Sequence, residues 1–141
     1  MLGRQHLLVR RLRSVPGIGL LTSTALAGFV GDLRRFPSGR HFASYLGLTP
    51  RERSSGTIRR LGAITKRGDV YLRMLLIHGA RAVLAAAAQQ REPDSVRAWA
   101  LAAAQRLGHN KATVALANKL ARYAWAVAHR ETDFTLETKA A

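Results

Sequence analysis

Two adjacent serines and a glycine, Ser54-Ser55-Gly56, sit in the stretch Leu48 to Gly68 among Arg51, Arg53, Arg59, Arg60, Lys66 and Arg67, opposed only by Glu52. A guanidinium fork pairs two N–H groups with phosphate oxygens, so such a cluster favours a polyanion. A hydroxyl held among those forks would lie close to a phosphodiester. A serine is a weak nucleophile unless a base, a metal or an electrophile-activating charge assists it, and no histidine adjoins this pair. From the residues alone, a serine before glycine reads first as a turn residue or as a hydroxyl donating to phosphate.

A second anion-binding pattern lies upstream, at Val15-Pro16-Gly17-Ile18-Gly19. Without a Cβ, Gly17 and Gly19 let their backbone amides come close to an anion, and the helix that follows adds its positive N-terminal end. Flanked by a short helix on each side, with Arg10, Arg11 and Arg13 before it, the pattern is that of a helix-hairpin-helix, which grips the DNA sugar-phosphate backbone without reading sequence. The bland reading is a tight turn between helices that contacts nothing.

Metal chemistry has little support. Two-metal phosphoryl transfer needs clustered carboxylates, and Asp32, Glu52, Asp69, Glu92, Asp94, Glu131, Asp133 and Glu137 show no ligand-like spacing. Asp32 and Asp69 read better as helix-end groups, and the five histidines are scattered. No metal site is expected in this chain.

Composition agrees with a polyanion partner. The net charge is +15, and 19 of the 23 basic residues are arginine, which favours phosphate recognition over mere solubility. The charge is uneven, with 14 basic and 3 acidic residues in 1–73 against 9 and 5 in 74–141. It lies in glycine-bearing loops rather than along one amphipathic helix, so nucleic acid is preferred to an anionic membrane. Cysteine is absent, which excludes disulfides and thiolate sites and fits a reducing compartment. The N-terminal segment lacks a secretory apolar core, and the apolar run from Met74 to Ala88 is interrupted by His78 and Arg81. A cytoplasmic, nucleoid-associated protein without membrane contact is expected.

The elements that must position these groups read as almost wholly helical, with 1–130 as one domain and 131–141 as a flexible tail. A first helix ends near Ser14 and a second runs from about Leu21 to Val30. Ser38 caps a third, which stops at Gly47. Residues 49–68 lack helical period and have room for a short β-hairpin. Asp69 or Thr65 caps a long helix to about Gln90, with Leu72, Leu75, Leu76, Ala80, Val83, Leu84 and Ala87 as its apolar stripe. Asp94 or Ser95 starts the next, Gly108-His109-Asn110 makes a turn, and a last helix covers about Lys111 to His129. The fold class is therefore mainly α: a compact helical domain with an N-terminal helix-hairpin-helix and a basic loop before a long helix. Its alanine-rich faces suit close packing within the core, in preference to subunit contacts.

The ordered motifs VPGIG, Gly31-Asp32, RFPSGRHFASYLGLTPRERSSG, Ile64 to Arg73 and NKATVALANKLARYAWAV resemble the C-terminal domain of the "IS one-ten" family of insertion-sequence transposases, over about residues 10–130. The resemblance implies a DNA recombinase guided by a bridging RNA. It implies a serine, here Ser55 directly before the glycine, that attacks the DNA backbone. It also implies phosphate-holding roles for Arg59, Arg60, Lys66, Arg67 and Arg73, beside Arg51 and Arg53. Divalent metal, by the same resemblance magnesium, belongs to an acidic nuclease-like domain that precedes this one in the family.

That acidic domain and its linking coiled coil are missing from the sequence, and Met1 falls shortly before the VPGIG motif. A truncated product, a separately encoded half or an isolated piece is expected, inactive alone, with binding surviving better than catalysis. Expected partners are DNA, a guide RNA, further copies of the chain, and the nuclease-like half acting in trans. The rival readings are a non-catalytic helix-hairpin-helix DNA binder and an RNA-binding or oligomerisation module.

Overall fold

The computed structural model describes residues 2–55, 58–64 and 69–138. Six α-helices account for most of them: α1 (Leu2–Arg13), α2 (Leu20–Ala25), α3 (Gly39–Tyr45), α4 (Val70–Ala87), α5 (Ser95–Leu107) and α6 (His109–Arg130). Helix α2 continues through Leu26–Val30 in the wider π geometry, and a short 3-10 turn covers Leu33–Arg35. Between α3 and α4 lie two strands, β1 (Pro50–Ser55) and β2 (Ile58–Ile64), paired antiparallel. The fold is mainly α, as the periodicity indicates.

Side-chain chemistry sets the helix starts. Ser38 Oγ accepts the His41 amide at the head of α3. Asp69 Oδ1 accepts the Tyr71 and Leu72 amides at 2.9 and 3.1 Å, which resolves the choice between Thr65 and Asp69 in favour of the carboxylate. Asp94 does the same for Arg97 at the start of α5. Each such cap satisfies an amide that the first helical turn leaves without a partner. At the other end of α3, Gly47 takes φ +74° and the Leu48 amide reaches back to the Ala43 carbonyl, a Schellman closure.

Hydrogen bonds from Arg97, its backbone amide first, hold the Asp94 carboxyl below the ordinary carboxylate range. Because the folded value is depressed, the stabilisation is complete above the unfolded pKa of about 3.9 and is lost as pH falls through the folded value. Asp94→Ala is expected to cost about 1 kcal/mol at neutral pH. The difference from wild type should shrink below about pH 4, as read by urea titration at several pH values.

Helix α6 is the axis of the core, with α3, α4, α5 and α1 packed around it. Its Ala112, Ala117, Ala121, Ala124, Ala126 and Ala128 are all buried within this one chain, so the small residues serve close helix approach inside the domain. Leu116, Leu120 and Val127 join Leu72, Leu76 and Leu84 of α4 in one continuous apolar cluster. By length and composition α4 could cross a bilayer, yet its Leu72, Leu76, Ala80 and Ala87 are sealed in that core.

Two boundaries depart from the sequence reading. The turn expected at 108–110 shrinks to one residue, because Gly108 at φ +88° redirects the chain alone and α6 starts at His109. The first residues of the expected tail are anchored. Glu131 pairs with Arg34 at 2.9 Å, the Phe134 amide donates to Ser14 Oγ at 2.7 Å, and the Phe134 ring meets Tyr123 edge-on at 5.0 Å. An aromatic ring with a place against the core outweighs the chain entropy gained by fraying.

Candidate nucleic-acid interface

The turn between α1 and α2 is built from both faces of its own sequence. Val15 and Ile18 are buried and pin it to the core, while Pro16 and the glycines bend it. The Ile18 amide donates to the Val15 carbonyl at 3.1 Å, closing the turn. Gly17 takes φ +81°, and a Cβ there would stand 2.9 Å from Leu120 Cδ1 and 3.0 Å from Val83 Cγ2. Its lack of a side chain is thus required by packing against α4 and α6. Gly19 differs: it is exposed, a Cβ added to it would meet nothing within 4 Å, and it forms the N-cap of α2 without a side-chain cap. The outward surface of the motif is therefore Gly19 and the first amides of α2, beside the exposed Arg10 and Arg13.

The serine pair lies at the end of β1. The register sets Ser55 opposite Ile58, Ser54 opposite Arg59, Arg53 opposite Arg60 and Glu52 opposite Leu61, with an irregularity between Pro50 and Glu52 that contains Arg51. Residues alternate between the two faces of a strand, and directly opposed residues share a face. Position 55 therefore falls on the face that carries positions 53 and 60, and position 54 on the face that carries 59. The base of the ribbon is tied to the helices: Leu48 is buried and its carbonyl accepts Asn118 Nδ2 of α6 at 3.1 Å. Gly56, Lys66 and Arg67 lie outside the described residues.

Arg73 lies deeper than its place in the basic run suggests. The family resemblance gives it a phosphate-holding role, but only 7% of its surface is exposed. Position 73 lies on the same side of α4 as Leu72, Leu76 and Ala80, so the spacing that builds the core carries the arginine inward with it.

The fold also gathers cations that the linear sequence scatters. Arg40 of α3 is close enough to Arg122 of α6 to disfavour its charge, and Arg122 does the same to Lys119. Burial, followed by that repulsion, lowers the Lys119 pKa. Burial also lowers that of Arg122, against a smaller opposing effect of Tyr123. Lys119 Nζ lies 4.5 Å above the Trp99 ring and 5.6 Å from that of Tyr123. On the approach to α3, exposed Arg35 stacks over Phe36 at 4.5 Å and Tyr45 at 5.5 Å. The signal for these residues was present only as surplus charge, since nothing in their spacing joins α3 to α6.

Several acids are engaged as caps and ion pairs. Asp32 caps the 3-10 turn through the Arg34 amide and, with Glu131, binds the Arg34 side chain. The hydrogen bond and charge of Asp32 raise the Arg34 pKa. Asp69 and Asp94 cap helices. Among the described residues no three histidine or carboxylate side chains come together.

Comparison with known proteins gives this geometry a context. Residues 9–94 match the model of a family described as Transposase IS116/IS110/IS902. The chain is 50% identical over 126 residues to a probable family 20 transposase of Pseudomonas aeruginosa, covering 89% of this chain and 37% of the relative. It is 42% identical over 125 residues to the transposase for insertion sequence element IS1111A of Coxiella burnetii, covering 89% and 34%. A pilin gene-inverting protein of Moraxella lacunata is 41% identical over 66 residues, 46% of this chain and 20% of the relative. The chain thus spans little more than a third of the length of the first two relatives.

Proposed function

Because the chain belongs to the IS116/IS110/IS902 transposase family, as the match over 9–94 shows, we propose that it is a DNA-binding unit carrying the serine nucleophile of a transposase. The observation that carries this reading is the placement of Ser55 at the end of an arginine-bearing antiparallel ribbon, on the face shared by positions 53 and 60, inside the family match. In the proposed step Ser55 Oγ attacks a phosphodiester phosphorus. A serine–phosphate bond forms, one P–O ester bond breaks, and the proton lost by the Ser55 hydroxyl ends on the released DNA oxygen. Attack by the hydroxyl of another DNA end on the phosphoserine reverses the chemistry and completes exchange. Guanidinium groups aimed at the phosphate offset the charge of the transition state. The name of the gene-inverting relative is in keeping with rejoining of cut strands.

Backbone binding and chemistry are divided between two surfaces in this reading. Gly19 and the head of α2, with Arg10 and Arg13, hold one stretch of phosphate; of the ribbon arginines, Arg53 and Arg60 on the Ser55 face hold the phosphate that reacts, and Arg51 and Arg59 hold the phosphates beside it. Along the sequence, Lys66 and Arg67 continue the basic run. The acids for any divalent metal come from other polypeptide, and further copies of the chain, that acidic half or a guide RNA join it in the working assembly.

Duplex binding by the 141-residue chain is expected to weaken linearly in log K against log salt, since counterions leave as cations neutralise phosphates. Arg59→Ala and Arg60→Ala together should reduce that slope by about 2, one for each contact removed. Fluorescence anisotropy at several salt concentrations reads the slope directly. An unchanged slope would place the duplex elsewhere and remove the ribbon from the interface.

The non-catalytic alternative, a helix-hairpin-helix binder, rests on one specific observation: Gly19, Arg10 and Arg13 are exposed around the α1–α2 turn. It shares the salt dependence and differs only in having no use for Ser55.

A further inference from the structure

A groove of about 790 Å³ runs between α1 and α2, on a surface that neither the ribbon nor the proposed nucleophile uses. Its α1 wall carries His6, Val9, Arg10 and Arg13, and its α2 wall Leu20, Thr24, Ala27 and Gly28. The spacings 6, 9, 10, 13 and 20, 24, 27, 28 each describe one helical face. From residue 5 to residue 14 the α1 wall is about 13 Å long at 1.5 Å per residue, or two to three helical turns. Leu20 is 60% exposed although it lines an apolar cleft. Ala27 and Gly28 leave its far end open, and no atom lies within 4 Å of where a Gly28 Cβ would stand.

The charge in this groove has one sign and one side. Residues 1–31 contain no acidic side chain, so no carboxylate of this segment neutralises Arg10 and Arg13. The α2 wall is uncharged. A phosphodiester backbone would answer the arginines but has no apolar side chains to fill the cleft. An acidic amphipathic helix supplies both. Its apolar residues at i, i+4 and i+7 enter between the walls, and carboxylates along one flank meet Arg10 and Arg13. We propose that the α1–α2 groove is a docking site for an acidic amphipathic helix of a protein partner. The groove shares Arg10 and Arg13 with the proposed backbone contact, so the helix and duplex DNA would compete for those two side chains, while the apolar part of the walls answers only the helix.

The probe is a fluorescein-labelled peptide of about five turns with leucines at i, i+4 and i+7 and glutamates along one flank, titrated with the 141-residue chain. Saturable binding is expected, with amide chemical-shift changes along α1 and α2. A peptide with the same leucines and lysine in place of glutamate should bind at least about tenfold more weakly, a difference of 1.4 kcal/mol. Filling the groove with Gly28→Leu, or with Thr24→Trp at an exposed position, should also weaken binding about tenfold. So should the double charge reversal Arg10→Glu/Arg13→Glu on the α1 surface, which leaves the core intact. Equal binding of the acidic and basic peptides, equal binding by the filled and unfilled chains, or no binding to a folded chain would each overturn the proposal. Shift changes along both groove walls on adding duplex DNA, with none on adding the acidic peptide, would reassign the groove to nucleic acid.

Discussion

Alanine at the position of Ser55, in a full-length relative such as the Pseudomonas aeruginosa transposase, is expected to abolish strand exchange while duplex affinity stays within about twofold. Phosphate contacts by arginine, rather than one hydroxyl, carry backbone affinity. A nucleophile that forms the covalent link has no substitute, so the loss should exceed about a thousandfold, as for removal of other catalytic nucleophiles. Alanine at the neighbouring Ser54 position is the control. Position 54 falls on the opposite face of β1, with position 59, and its replacement should leave most of the activity. The two readouts are strand-exchange rate and trapping of a protein–DNA adduct. Undiminished exchange without the Ser55 hydroxyl would refute its role, and loss from the Ser54 variant alone would shift the assignment by one residue.

The second large effect is expected at Gly79, far from any proposed chemistry. A Cβ on Gly79 would stand 2.1 Å from the carbonyl oxygen of Gly17, and the next nearest atoms are also Gly17 backbone. No rotamer change relieves a clash between two main chains. Either α4 moves off the turn or the turn leaves its seat on Leu120 and Val83. Gly79→Ala should therefore cost at least about 3 kcal/mol, at the upper end of overpacking effects. That is a large share of the roughly 5–15 kcal/mol typical of a domain. Urea denaturation should show a lower midpoint with an unchanged slope. Weaker duplex binding should accompany it, because Gly19 and the head of α2 move with the turn. Gly3 is the contrasting site: it lies in the first turn of α1 with nothing within 4 Å of its would-be Cβ, so Gly3→Ala should leave stability unchanged or raise it by less than about 0.5 kcal/mol. Similar behaviour of the two substitutions would rule out the close contact between turn and α4.

These two glycines, Gly17 and Gly79, mark the limit of what pattern reading could reach. Gly17 stands out because Pro16 and Gly19 flank it, and its backbone bend is foreseeable from that setting. Its partner Gly79 sits in a run of good helix formers, where a glycine costs stability. Only the crossing of α4 under the α1–α2 turn explains it. Arg73 teaches the same lesson in reverse. Along the chain it continues the basic run from Arg59 to Arg67, but the helical period that begins at Val70 turns it into the core.

The order of the helices, their caps at Ser38 and Asp69, the stop at Gly47 and the arginine-flanked Ser55 were determined by residues close in sequence. Capping, helical period and backbone bends are local interactions that need no distant partner. Other features came only with the tertiary structure. The cation group of Arg40, Lys119 and Arg122, the seat of Gly17 on Leu120, the anchoring of Phe134 against Tyr123, and the α1–α2 groove all join residues brought together by helix packing. Their geometry depends on how closely the alanine faces of α6 let neighbouring helices approach, and no spacing along the chain encodes that distance.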